Sequence, residues 1–280
     1  MHWIYDLPLW ALCAMVLTLT VLYAVGAVLS VRRLRWRLDA DDNATAAALH
    51  AFIGVLYAVA LGLLVVSAQD DNDAVEKAVS AEANATGNLY RVIGGLEPAN
   101  RLRFRRQIGE YVRLVVTDEW PATQHARPSL PTWRAMDGLS AGVYTFVPTS
   151  AQEERVYPQL VGELEEVLDA RRERLYLGQQ GVGAVTWTII LLGGMITIGF
   201  AAFFRMGSVR AHLLLTSLAA AMFGLMLFLL LAMDHPLWGR VSIDPGPFLE
   251  LEASFVRQQV EMGAPPQVAV PAGGARGVTR

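Results

Sequence analysis

Glu82 stands in Ser80-Ala81-Glu82-Ala83-Asn84, on the apolar face of a helical pattern carried by Val75, Val79, Ala85, Leu89 and Val92. A carboxylate on such a face costs free energy unless it is paired or hydrogen-bonded. An Arg from the second or third insert helix is the candidate partner, for example Arg105, Arg113 or Arg171, which would make Glu82 half of a structural ion pair. The alternative chemistry is ion binding or gating. Asp70, Asp71, Asp73 and Glu76 crowd the same stretch upstream. In a ring of subunits they would attract cations; otherwise they read as a solvated helix end.

The five histidines are His2, His50, His125, His212 and His235. None pairs with another His, with Cys13 or with an acid at metal-ligand spacing, apart from Asp234 beside His235. His50 and His212 stand at span ends, where a polar cap that snorkels outward is expected. No metal and no cofactor is expected. Cys13 is the one cysteine, so neither a disulfide framework nor a thiolate zinc site can form. GxGxxG, Walker A, HExxH and GxSxG patterns are absent. With no catalytic constellation, the chain is not expected to be an enzyme.

A different chemistry is offered by residues 51–68. Phe52, Leu56, Val59 and Leu63 recur at spacings of four, three and four, one bulky stripe on a helix. Around a shared axis that stripe would stack into apolar rings, which can gate a pore by dewetting. Contact with lipid or a core is its plainer use. On another face Gly54, Ala58 and Gly62 make a shallow groove. Small residues so spaced let a second helix approach closely, within one subunit or between subunits.

The elements that position these residues are four apolar runs, 9–31, 51–68, 182–204 and 211–233. As helix the first rises about 34 Å and the second about 27 Å, against ~30 Å of hydrocarbon. Lipid satisfies no backbone polar group, so continuous runs of this kind are helices. No Lys or Arg precedes the first run, and Arg32, Arg33, Arg35 and Arg37 follow it, the pattern of a retained anchor and not of a cleaved signal. No Asp, Glu, Lys or Arg lies inside any run, which argues against a proton-driven transporter.

Residues 69–181 have ordinary polar character. Apolar spacing predicts helices over 69–93, 100–119 and 152–176, the second with Phe104, Ile108, Tyr111, Val112 and Val115 on one side. Trp120-Pro121 is expected to stop the second helix, and the third to run into the third span with little break. Between them a loop over 122–149 encloses a short helix at 133–146. The short connections are 32–50 and 205–210, both cationic. Residues 234–262 read as an interfacial, amphipathic tail, and the Ala/Gly/Pro-rich 263–280 as disordered. The fold class is an all-α integral membrane protein: four transmembrane helices with a helical extramembrane insert between spans two and three.

Composition agrees. Apolar residues make up 54% and charged residues 18%, with mean hydropathy +0.35, where soluble domains carry about 45–50% and about 25%. The 23 Lys+Arg against 26 Asp+Glu leave no basic stripe, which excludes a nucleic-acid partner. Lys77 is the only Lys and Ala is abundant, the usage of a GC-rich bacterium, so the bacterial inner membrane is the expected location. The Arg-rich short connections put both in the cytoplasm, with the termini and the insert outside.

The order of these stretches resembles a family of bacterial membrane proteins of unknown function that is classed as bestrophin-like. The resemblance is carried by Phe52-Ile53-Gly54-Val55-Leu56-Tyr57-Ala58, by Ser80-Ala81-Glu82-Ala83-Asn84 with Leu89-Tyr90-Arg91, and by Glu119-Trp120-Pro121. Gly199-Phe200, His212-Leu213-Leu214-Leu215-Thr216 and Asp234-His235-Pro236-Leu237-Trp238-Gly239 complete it. It covers nearly the whole chain, residues 5–262. Bestrophins are oligomeric, typically pentameric, anion channels in which span two lines an apolar neck. The resemblance therefore implies self-association as a homo-oligomer, a pentamer, in a lipid bilayer, with small anions as cargo. It implies Phe52, Leu56 and Val59 as neck residues and Glu82 in a vestibule wall. It also implies a cytosolic insert, opposite to the charge rule. No acidic cluster resembles the bestrophin calcium clasp, so calcium gating is not expected. The expected function is an anion-permeable channel; the alternative is a non-conducting membrane scaffold or sensor whose insert binds a partner.

Overall fold

A computed structural model describes residues 4–5, 7–34, 40–239 and 242–261. Among these the regular elements are all helical: α1 Leu9–Arg33, α2 Ala40–Val92, α3 Pro98–Leu114, α4 Trp120–Gln124, α5 Leu130–Tyr144, α6 Ala151–Leu177, α7 Ala184–Ala201, α8 Val209–Met233 and α9 Gly246–Glu261. Four of them, α1, α2, α7 and α8, are long and apolar enough to cross a membrane. The tail at 263–280, His2, Arg35 and Arg37 lie outside the described residues. The chain divides into two compact units, Met1–Glu76 with Tyr176–Ile243, and Lys77–Leu175 with Asp244–Arg280.

In the first unit α1 packs along α8 and α7, and α7 packs on α8. Val16, Leu61, Ala68, Ile190, Leu227 and Leu230 form one core cluster, and Ala24, Ile198 and Ala220 another. Small residues set how closely these helices approach. A Cβ at Gly193 of α7 would overlap the ring of Tyr57, and one at Gly194 the ring of Phe223. The Tyr57 hydroxyl donates to the Ile190 carbonyl, and the Tyr23 hydroxyl to the Met195 carbonyl at 2.8 Å. Two aromatic rings thus lie directly on the α7 backbone, where any larger residue would push them off.

The connection between α7 and α8 meets the start of α2 at one end of this unit. The Arg205 N–H donates to Asn43 Oδ1 at 3.0 Å. His212 is buried, with Nε2 3.0 Å from the Ala201 carbonyl and Nδ1 3.4 Å from Arg32 Nη2. His50 stacks on Phe200 with centroids 5.2 Å apart. The expectation of snorkelling caps is therefore corrected: both rings turn inward because α7 offers them a carbonyl and an aromatic face.

In the second unit α3 packs on α5 and on α9. Its buried residues are Phe104, Ile108, Tyr111 and Val112. Phe248 and Phe255 of α9 are buried, and Phe255 stacks on Tyr90 at 3.9 Å between centroids.

Several expected boundaries need correction. The connection at 32–50 is shorter, because α2 already begins at Ala40. Trp120-Pro121 does not stop the helix. A π turn at Val115–Glu119 widens it by one residue, and Pro121 then sits in the first turn of α4, where its missing N–H is not needed. The short insert helix starts earlier, at Leu130, because Ser129 caps it by accepting the Thr132 N–H at 3.2 Å. Nor does the third insert helix run into span three. Gly178, Gly181 and Gly183 fall between the end of α6 at Leu177 and the start of α7 at Ala184.

Candidate functional site

The transmembrane part of α2 has two unlike sides. Tyr57, Leu61, Leu64 and Ala68 face the core of the first unit. Phe52, Leu56, Val59 and Leu63 face away and are 64, 56, 58 and 67% exposed. So much exposed apolar surface on one helix marks a membrane or interaction face. Gly54 and Gly62 have no heavy atom of the described residues within 4 Å of an added Cβ, and Ala58 is exposed. Packing inside one subunit, one of the two uses expected of this stripe, finds no neighbour there. Asp70, Asp71, Asp73 and Glu76 are exposed as well.

Glu82 belongs to a buried ionic cluster in the second unit. Arg171 and Arg174 sit one turn apart on α6, so both guanidiniums reach the same place. Arg174 Nε donates to Glu82 Oε2 at 2.5 Å, and its Nη2 to Glu119 Oε1. Arg171 Nη2 donates to Glu119 Oε2 at 2.5 Å, and its Nη1 to the Tyr111 hydroxyl at 2.9 Å. The Tyr111 hydroxyl donates in turn to Glu82 Oε1. The π turn delivers Glu119 to this point. Arg174 also lies 5.4 Å from the Trp120 ring centroid and 5.8 Å from that of Phe248.

Two carboxylates and two guanidiniums cancel, and every carboxylate oxygen is engaged. Burial pushes the Glu119 carboxyl up, but the Arg174 and Arg171 charges outweigh it and hold it below the usual range. Burial and the Glu82 charge push the Tyr111 phenol far up, so it stays a donor. The geometry is that of a structural clamp joining α2, α3, the π turn and α6.

The partner of Glu82 is an Arg of the third insert helix, and of the three given as examples one is in place and two are not. Arg171 is present at 3.7 Å, but the direct partner is Arg174. Arg113 pairs instead with Glu110 at 2.6 Å, and Arg105 lies over the Tyr90 ring at 4.7 Å. Glu82 has no exposed surface, so it does not itself front a vestibule in the single chain. Arg174, Glu119 and Tyr111 were not singled out for this site. A signal existed for the Arg: the spacing of three between Arg171 and Arg174 puts both on one face.

A second polar hub lies in the first unit, where Asp234 follows α8. Its carboxylate accepts from the Tyr5 hydroxyl at 2.6 Å, the Val182 N–H at 2.6 Å and Trp187 Nε1 at 3.3 Å. This ties the N-terminal segment, the start of α7 and the end of α8 together. Gly239, at φ +69, lies against the Tyr5 backbone, a conformation that favours glycine.

Residues 17–248 match the Bestrophin-like domain. No curated protein matches the chain in sequence. Among solved structures, a variant of a bacterial bestrophin homologue from Klebsiella pneumoniae is similar at TM-score 0.66 and 14% identity, covering 88% of this chain and 98% of its own. A bestrophin homologue from the same organism, phased on zinc, is similar at TM-score 0.65 and 15% identity, covering 90% and 99%. At such identities the likeness is one of fold. With four apolar helices, a helical insert and a domain match spanning most of its length, the chain belongs to the bestrophin-like family of membrane proteins.

Proposed function

We propose that the protein is a homo-oligomeric, anion-permeable channel that crosses the bacterial inner membrane four times, with an apolar neck lined by α2. The observation that carries this reading is the stripe of Phe52, Leu56, Val59 and Leu63, exposed on a helix whose other side is packed. One subunit has too few helices to enclose a water path, so copies must surround it; the family resemblance favours five. Gly54, Ala58 and Gly62 then serve the contact between neighbouring copies. The neck passes ions by being wetted, and its apolar walls favour weakly hydrated anions. The buried Glu82 cluster braces the insert.

The test is the particle mass of the purified protein in nanodiscs, then halide flux from proteoliposomes made with the same sample. An integral multiple of 30.6 kDa with flux above empty vesicles supports the reading. A monomer, or a vesicle no leakier than its control, overturns it and leaves the non-conducting scaffold.

A further inference from the structure

The Asp234 hub stands at one end of a cavity of about 720 Å³ that opens between α1, α7 and α8. That volume is in the ~300–1,000 Å³ range of small-ligand sites. Its lining along α7 runs from Ala184 to Ile198, about 21 Å of helix. One leaflet of the bilayer supplies about 15 Å of hydrocarbon. The cavity is thus long enough for an acyl chain of one leaflet together with the part of the lipid nearest the surface.

The two ends differ in chemistry. Toward the middle of the spans the walls are apolar apart from the Thr20 and Tyr23 hydroxyls, which donate to the Val16 and Met195 carbonyls, and Leu19, Leu191 and Met195 are themselves open to the outside. At the other end stand Tyr5, Trp187 and Trp238, the side chains that favour a membrane–water interface. Among the described residues Asp234 is the one carboxylate in the lining, and no Lys or Arg is in it. Its three hydrogen-bond donors, Tyr5, Val182 and Trp187, are neutral. The nearest described group able to carry positive charge is His235, with Nε2 at 3.9 Å. Burial and the neighbouring Asp234 push the Tyr5 phenol up, so Tyr5 remains a donor and adds no second negative charge.

We propose that this cavity is a phospholipid site selective for a primary-ammonium headgroup, with one acyl chain lying along α7 and the ammonium held near Asp234. An ammonium complements the carboxylate. An anionic headgroup meets Asp234 as a like charge. The site is independent of conduction, since it lies on the side of the four-helix unit formed by α1, α7 and α8 and uses none of the α2 stripe.

The experiment places the full chain in nanodiscs holding equal phosphatidylethanolamine and phosphatidylglycerol, extracts it into mild detergent, and identifies retained lipid by native mass spectrometry. The wild type is expected to retain phosphatidylethanolamine over phosphatidylglycerol by about tenfold. Asp234→Asn is expected to bring that preference close to one. Leu191→Trp fills the cavity wall and leaves the Asp234 contacts in place; it is expected to lower retention of both lipids. If Asp234→Asn does not fold, the wild-type preference and Leu191→Trp still decide. Equal retention of the two lipids by the wild type, no retained lipid, or unchanged retention in Leu191→Trp overturns the site. So does efficient crosslinking between copies through Met195→Cys, which would put a second copy in the groove.

Discussion

Arg174 on α6 and Glu82 on α2 stand 92 residues apart in sequence and meet at 2.5 Å, Nε to Oε2. Both are fully buried. Removing water from two such charges is costly, and their attraction repays it only when the remaining donors and acceptors are also engaged. Here Tyr111, Glu119 and Arg171 engage all of the carboxylate oxygens and most of the guanidinium nitrogens, while Arg174 Nη1 and Arg171 Nε find no hydrogen-bond partner among the described residues. Glu82→Gln leaves two guanidiniums facing one carboxylate and is expected to destabilise the insert by about 3–5 kcal/mol. Arg174→Gln leaves the opposite imbalance, with a similar loss. The double variant restores neutrality around Glu119 and Arg171, so it should cost less than the sum by about 0.5–3 kcal/mol. Thermal melting of the three variants in detergent checks this. Strict additivity would show that the four groups do not act as a unit.

Acid should weaken the same unit through another carboxylate. Glu153 accepts the Thr149 N–H and hydroxyl at 3.0 Å each, Asn100 Nδ2 at 2.8 Å and the Glu97 N–H at 3.2 Å. The Thr149 backbone N–H foremost, then Asn100, pull its carboxyl from 4.5 to about 2. A depressed carboxylate contributes stability above its unfolded value and loses it on protonation in the fold. The contribution is therefore full above about pH 4.5 and fades as pH falls toward about 2. Glu153→Gln should lower the melting temperature at pH 7 and flatten its fall over that window. Wild-type and variant curves that run parallel from pH 5 to pH 2 would refute the assignment.

Much of this architecture is legible in the residues. The four apolar runs are close to a bilayer's thickness or longer and contain no charge, so helices are the one solution open to them. That Glu82 required a cation followed from its place on an apolar face. What was not legible depends on rotation and on local irregularity. The spans are apolar all round, so the spacing that groups Leu63 with Phe52, Leu56 and Val59 does not tell that this stripe is exposed and Leu61 buried. Nor does the sequence show that Tyr57 is seated on α7, where Gly193 leaves room for its ring. Glu119 was hidden by the π turn, which a regular helical count does not anticipate. Asp234 lies in a helix-breaking motif, and its partners Tyr5 and Val182 are far from it in sequence.

The neck proposal makes a directional prediction. If Leu56 forms an apolar ring, Leu56→Thr places a hydroxyl at every subunit and favours wetting. Halide flux should rise by about tenfold or more, a barrier lower by about 1.4 kcal/mol. Leu61→Thr, on the packed side of α2, should lower stability and leave the flux per folded channel unchanged. Equal flux in the wild type and Leu56→Thr would remove Leu56 from the conduction path.

The rotation of α2 that separates these two leucines rests on Gly193. Its missing side chain leaves the space that the Tyr57 ring occupies, and the Tyr57 hydroxyl then donates to Ile190 one turn away. Gly193→Ala inserts a methyl group into that contact and is expected to cost about 1–3 kcal/mol, the range of overpacked cores. Tyr57→Phe keeps the ring and loses only the hydrogen bond, about 0.5–1.5 kcal/mol. The ordering of the two separates ring seating from hydrogen bonding as the cause of the helix orientation. Tyr57→Ala in the Gly193→Ala background removes the clash, so the pair should cost less than the sum of its parts. If α2 is held by this seat, Gly193→Ala also disturbs halide flux although Gly193 is on α7, away from the neck stripe. Flux at the wild-type level in a folded Gly193→Ala channel would mean that other contacts, with Leu61 and Ala68 foremost, set the rotation of α2.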